Sequence, residues 1–193
     1  MITIVLGNFK ANAAQDAELC LILPKSYAPW DAANRVAGFL DTWLETALLE
    51  RSGSVESLNY VVNELMENAV KYAHAGSIEL SVGFEVESLR VSLVHPVSSM
   101  HAVRYREMAD DLIARDPDEL FAEIIERNAL NDAATQHGGG LGLVSLRQNY
   151  QAELGFGFQD LLNDLVLATT QVCLPWPNQN DLRSSLHTLE FLP

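Results

Sequence analysis

The sequence has little positive charge. Of its 193 residues only three are lysine and nine arginine, against 26 acidic side chains, which leaves a net charge of -14. With no clustered basic stretch the chain carries no electrostatic footprint for phosphate backbones or anionic headgroups, so nucleic acid and membrane surfaces are poor partners. No apolar run approaches the ~18 residues of a membrane-spanning helix. The apolar start, residues 1–7, lacks a positive n-region and the length of an h-region, so no signal peptide is expected. Cysteine is nearly absent as well. Cys20 and Cys173 lie in separate apolar stretches without CxxC or Cys/His spacing, and both read as small buried hydrophobes in a reducing, bacterial-type cytoplasm. Internal repeats and low-complexity tracts are missing too.

What the chain does have is hydrophobic content, 48% of its residues, enough at this length to bury roughly 70% of the unfolded surface without a metal or a disulfide. One domain over 1–176 and a weakly patterned tail over 177–193 are expected. Apolar runs at 2–6 and 18–23, parted by small and polar residues, suggest an N-terminal hairpin within 1–24. Apolar spacings of three and four predict helices over 30–49 and 54–74, the second capped by Ser54. Alternation then predicts a hairpin of 78–85 with 89–95. Residues 96–139 form a more polar insertion with helices at 102–114 and 117–130, followed by a glycine cluster, a helix at 143–151, and strands at 153–158 and 165–174. Paired strands with helices clustered between them predict an α+β two-layer sandwich, helices on one face of a mostly antiparallel sheet.

On the helix over 54–74, Leu58, Val61, Val62, Leu65, Ala69, Tyr72 and Ala73 form a wide apolar face, and Glu64, Asn68 and Lys71 form a separate stripe beside it. A carboxylate, an amide and an ammonium in line suit a nucleotide with a metal. Asn68 can offer its amide oxygen to Mg²⁺, Lys71 can meet a phosphate, and Glu64 can orient or deprotonate a hydroxyl or water. The same residues also fit a plainer reading, in which Glu67 and Lys71 pair across one turn of a solvated face. The cluster Gly138-Gly139-Gly140-Leu141-Gly142-Leu143 lies where the next helix begins, with glycines that let backbone approach a ligand and a helix N-terminus that offers N–H groups to phosphate. No strand immediately precedes it, so neither a Rossmann nor a P-loop pattern applies.

Together, Asn63-Glu64-Leu65-Met66-Glu67-Asn68-Ala69-Val70-Lys71-Tyr72-Ala73-His74 resembles the N-box of the GHKL superfamily of gyrase-type ATPases, sensor histidine kinases and anti-sigma-factor serine kinases. Gly138-x-Gly140-Leu141-Gly142-Leu143 resembles its second glycine box. The resemblance spans about residues 30–175, with 96–139 where that superfamily carries an ATP lid. It implies ATP and Mg²⁺ as cofactors, Asn68 as the metal ligand, nucleotide contacts from Lys71, Gly138, Gly140, Leu141, Gly142 and Leu143, and Glu64 as the base. Glu64 is similar to the anti-sigma kinases and the ATPases, since sensor kinases more often have asparagine there. The phrase around Asn68 is most similar to SiaB-type regulatory kinases, which implies phosphorylation of a serine or threonine on a small anti-sigma-antagonist-like partner; a homodimer is compatible with it.

Two stretches depart from the pattern. The first glycine box, an Asp-x-Gly-x-Gly turn that serves adenine, falls near His95, where the chain reads Val94-His95-Pro96-Val97-Ser98-Ser99. A neutral imidazole carries one acceptor nitrogen, so His95 can either replace the aspartate or serve as a hydrogen-bonded structural residue. The insertion is strongly acidic, a poor lining for triphosphate unless Arg104 and Arg106 turn inward while the acids face water or a partner. Three functions follow: a regulatory kinase, a non-enzymatic partner-binding descendant of the fold, and a phosphatase or ATPase that uses water.

Overall fold

The computed structural model describes residues 3–11, 19–24, 31–47, 55–74, 76–85, 88–130 and 141–175. Six strands, β1 (Thr3–Gly7), β2 (Leu19–Pro24), β3 (Ser77–Phe84), β4 (Ser88–Ser98), β5 (Glu153–Asp160) and β6 (Leu165–Pro175), form one antiparallel sheet in the order β1-β5-β6-β4-β3-β2. Five helices accompany it: α1 (Asp31–Ala47), α2 (Val55–Tyr72), α3 (Ser99–Ala114), α4 (Pro117–Leu130) and α5 (Leu141–Tyr150). This is the expected α+β sandwich.

The layers follow from the alternation of the strands. Leu80 and Val82 of β3, Leu89, Val91 and Leu93 of β4, Leu154, Phe156 and Phe158 of β5 and Val172 of β6 are buried in one core with Leu58, Val61, Leu65 and Ala69 of α2. Each such side chain stabilises the fold by roughly 1.5–3 kcal/mol through its burial. Tyr105 of α3 packs edge-on to both Phe156 and Phe158, at 6.0 and 5.6 Å between ring centroids. Its hydroxyl meets Thr170, and burial holds its pKa up to about 12. Among the described residues, no helix is long and apolar enough to cross a membrane.

The opposite face of the sheet is polar and partly covered by the residues that follow β1. The Arg90 guanidinium, almost fully buried, donates to Glu85 at 2.9 Å and to the Asn8 carbonyl at 3.1 Å, while Gln171 exchanges hydrogen bonds with the Lys10 backbone. These contacts compensate the desolvation of Arg90. They also pull the Glu85 carboxyl down to about 2, chiefly through the Arg90 hydrogen bond. Phe9 lies flat where a side chain at Gly157 would go, its Cε2 only 2.5 Å from the position of a Cβ.

Three expectations are corrected. β1 and β2 are not a hairpin: β1 pairs with β5 and β2 with β3, so they occupy opposite edges of the sheet. Residues 96–139 are not wholly an insertion, because 96–98 complete β4 and α3 is a core helix that buries Ala102, Ala109 and Leu112 beside the sheet. Cys20 is exposed on the edge strand, its thiol 3.7 Å from Glu79, whereas Cys173 is buried as expected. The Ser54 cap and the 177–193 tail lie outside the described residues.

Candidate functional site

The two sequence motifs meet in space. α5 packs against α2, and Gly142, its second residue, rests on the Glu64 carboxylate: a Cβ at Gly142 would sit 1.6 Å from Glu64 Oε2. A side chain there would displace the Glu64 carboxylate from its present position. One turn earlier on α2 is Tyr60, whose pKa is raised chiefly by burial and next by the Glu64 charge, with Ser145 of α5 acting to lower it. The Tyr60 ring packs against Tyr150 at 5.6 Å between centroids, tilted by 32°. Moving up α2 from Tyr60 to Glu64 thus corresponds to moving down α5 from Tyr150 and Ser145 to Gly142, and the two helices run antiparallel through the contact.

Glu64 is half-buried, and this burial is the main reason its pKa is raised above the ordinary carboxylate range. Repulsion from Glu67 adds to the rise, and the hydrogen bond from Tyr60 offsets part of it. A carboxylate raised in this way is a better proton acceptor at neutral pH than an exposed one. Asn68 is half-buried one turn further along the stripe. Lys71 is exposed, with its ammonium 5.2 Å from the Tyr72 ring centroid.

Leu141 opens α5 half-buried, and the Leu143 side chain is fully in the core, where it anchors the helix. Gly138 and Gly140 lie outside the described residues. Arg104 is exposed, and Arg106 reaches Asp160 and the Phe158 ring. The described acids of α3, α4 and their connection all face solvent, as expected. A cleft of about 250 Å³ between α3 and α4 includes no residue of α2 or α5 in its lining.

His95 lies elsewhere in kind. Where the superfamily's first glycine box would turn, β4 runs on: His95, Pro96, Val97 and Ser98 pair with Ala168, Leu167, Val166 and Leu165 of β6. Pro96 is tolerated because its backbone points away from β6, beyond the last β3 pair of Glu79 with Val94, where its carbonyl accepts from the His74 N–H at 2.9 Å. His95 is 2% exposed in the core-facing row. An adenine contact there does not fit a buried side chain on a continuous strand. The other half fits better, since Asn68 offers an amide oxygen suited to a hard cation and α5 offers N-terminal N–H groups beside Gly142. Among the described residues, no cluster of three His, Cys, Asp or Glu side chains forms a metal site of its own.

Tyr60 and Ser145 were not singled out from sequence. Tyr60 carried a signal, since it precedes Glu64 by the same four residues that separate Glu64 from Asn68. Ser145 carried none.

No family model matches the sequence, and no curated protein does. In fold, the chain is similar to a chain of the crystal structure of the SiaB-SiaC complex from Pseudomonas aeruginosa, with a TM-score of 0.65 over 83% of this chain and 92% of that one, at 16% sequence identity.

Proposed function

We propose that this protein is a regulatory kinase of the anti-sigma-factor type, which transfers a phosphoryl group from Mg-ATP to a serine or threonine of a small partner protein. The observation that carries the reading is the contact between Glu64 and Gly142, which brings the N-box carboxylate and the second glycine box into one place. The fold's likeness to a chain from a two-protein complex supports a protein partner. Mg-ATP, when bound, supplies the phosphoryl group; the chain supplies position and charge. Asn68 offers its amide oxygen to the metal, Lys71 and the N–H groups at the start of α5 meet phosphate oxygens, and Glu64 accepts the proton of the partner's hydroxyl.

The test is calorimetric titration with ATP and Mg²⁺, followed by transfer of labelled phosphate in an extract of the host. Wild-type protein is expected to bind Mg-ATP and label a small protein. Glu64→Gln is expected to bind equally and to label it about 10²- to 10⁴-fold more slowly. No binding at millimolar nucleotide would sink the reading, and undiminished transfer by Glu64→Gln would remove the base.

A second reading, partner binding without turnover, is favoured by one observation: β4 continues as a paired strand where an adenine box would turn. The same titration separates the two.

A further inference from the structure

Several large apolar side chains stand exposed together at one end of the sheet. On α3, Met100 and Val103 lie one turn apart in the same row, and Met100 is 65% exposed. In the turn between β5 and β6, Leu161 and Leu162 are exposed as well, Leu162 to 84%. Contacts at both ends of the α3 row hold this turn beside it: the Ser99 N–H donates to the Asp164 carbonyl at 2.9 Å, and Arg106, one turn beyond Val103, reaches Asp160 at 3.5 Å. The turn itself is well fixed. The Leu161 N–H donates to the Leu165 carbonyl at 2.8 Å, and Asn163 and Asp164 take the left-handed backbone, at φ 60° and 56°, that their residue types accept in a hairpin. A single exposed leucine is ordinary, whereas a contiguous apolar group on a fixed frame marks a contact surface.

The same end of the sheet carries the end of α2. The His101 ring packs edge-on to Tyr72 at 6.2 Å between centroids, and the Lys71 ammonium lies 5.2 Å from the centroid of that Tyr72 ring, so the apolar group adjoins the stripe of Glu64, Asn68 and Lys71. Its border is acidic. The α3 row runs on from Met100 and Val103 to Glu107 and Asp110, and Asp164 flanks Leu162, three exposed acids against the exposed Arg104. A second copy of this chain would bring like charges together across the contact.

We infer that the face formed by Met100, Val103, Leu161 and Leu162 is the docking surface for a protein partner whose own contact face is an apolar centre bordered by lysine or arginine. This rests on the kinase reading above and deepens it: the partner seats here and presents its hydroxyl toward the Lys71 end of the α2 stripe. The apolar centre supplies affinity, and the charged border steers and orients the encounter.

The test uses the full chain in its host. A photo-crosslinking benzoylphenylalanine replaces Leu162, Val103 or, as the control, Ile22, which is exposed on β2 at the far edge of the sheet, and the crosslinked proteins are identified by mass spectrometry. One protein other than this chain is expected at positions 162 and 103 and not at 22. With that protein purified, Leu162→Asp is expected to weaken binding about 10- to 100-fold, and Glu107→Lys by about two- to tenfold with a shallower salt dependence, while Ile22→Asp leaves it unchanged. Crosslinks to a second copy of this chain, crosslinks equal at all three positions, no crosslink at 162 and 103, or unchanged affinity in a folded Leu162→Asp would each overturn the inference. Phosphoryl transfer to the purified protein judges the kinase reading separately. Absent transfer with the binding losses intact removes the kinase and leaves the docking surface; transfer that Leu162→Asp does not slow at low partner concentration removes the docking surface and leaves the kinase.

Discussion

The two ends of the candidate site differ in how they are built. One end is two helices laid antiparallel, where Tyr60, Glu64 and Asn68 recur at four-residue spacing, Glu64 meets Gly142 and Tyr60 meets Tyr150 across the interface. The opposite end, where the superfamily pattern expects an adenine turn, is a strand paired through Ser98 with its histidine in the core. The lesson is that a helix stripe preserves a chemical pattern as long as its spacing is kept, whereas a turn requires specific residues. His95-Pro96-Val97-Ser98-Ser99 holds none of the glycines that a tight reversal uses, and pairing with β6 together with burial of His95 and Val97 keeps it extended.

The largest expected effect that tests this contrast is at Gly142. In Gly142→Ala the new methyl group falls on the Glu64 carboxylate, which must swing away from Tyr60. Phosphoryl transfer is expected to fall about 100-fold, or ~2.7 kcal/mol, while circular dichroism stays that of the folded protein. Unchanged transfer would show that the contact is not part of a working site.

The next effect lies at the other end and is on stability. His95→Ala is expected to cost about 2–3 kcal/mol in urea unfolding, the range for truncating a large buried side chain, and to leave nucleotide affinity within about twofold once the unfolded fraction is counted. A tenfold loss of affinity at full folding would break the contrast by making His95 a ligand contact.

The smallest effect is the pH dependence of Glu64. Its pKa is raised in the folded state, chiefly by burial, so between the ordinary carboxylate range and the folded midpoint the native protein binds more protons than the unfolded chain. Stability therefore falls as pH rises through that window. Glu64→Gln removes this decline, and the mutant's urea midpoint is expected to exceed that of the wild type near neutral pH and to converge with it at acid pH. A wild-type advantage near neutral pH would reverse the sign and place a favourable charge partner on Glu64.

Much of the fold was legible from the chain. The helix over 54–74 was read from the spacing of Leu58, Val61, Leu65 and Ala69, and α2 spans Val55–Tyr72; the strands over 78–85, 153–158 and 165–174 were read from alternation and lie within two residues of β3, β5 and β6. The pairing of the first two strands was not legible. β1 finds β5 about 150 residues away because Ile4 and Leu6 fall in register beside Phe158 and Phe156 on the core face, and nothing near Ile4 in the sequence specifies that. The length of β4 escaped for a related reason: the expected strand ends at 95, and Pro96 is acceptable inside β4 only because its pairing with β3 has ended and its carbonyl accepts from the His74 N–H.

The shortage of positive charge sets the terms of any anion site here. The sequence by itself determined that Lys71, one of three lysines at a net charge of -14, shares a helix stripe with Glu64 and Asn68, because a 3.6-residue period is local and needs no partner. Only the tertiary structure decided that Glu64 lies under Gly142, that Tyr60 lies against Tyr150, and that His95 belongs to the core. Those outcomes depend on how α5 and β6 pack against elements 70 to 80 residues earlier in the chain, and such packing follows from the shape and burial of whole layers.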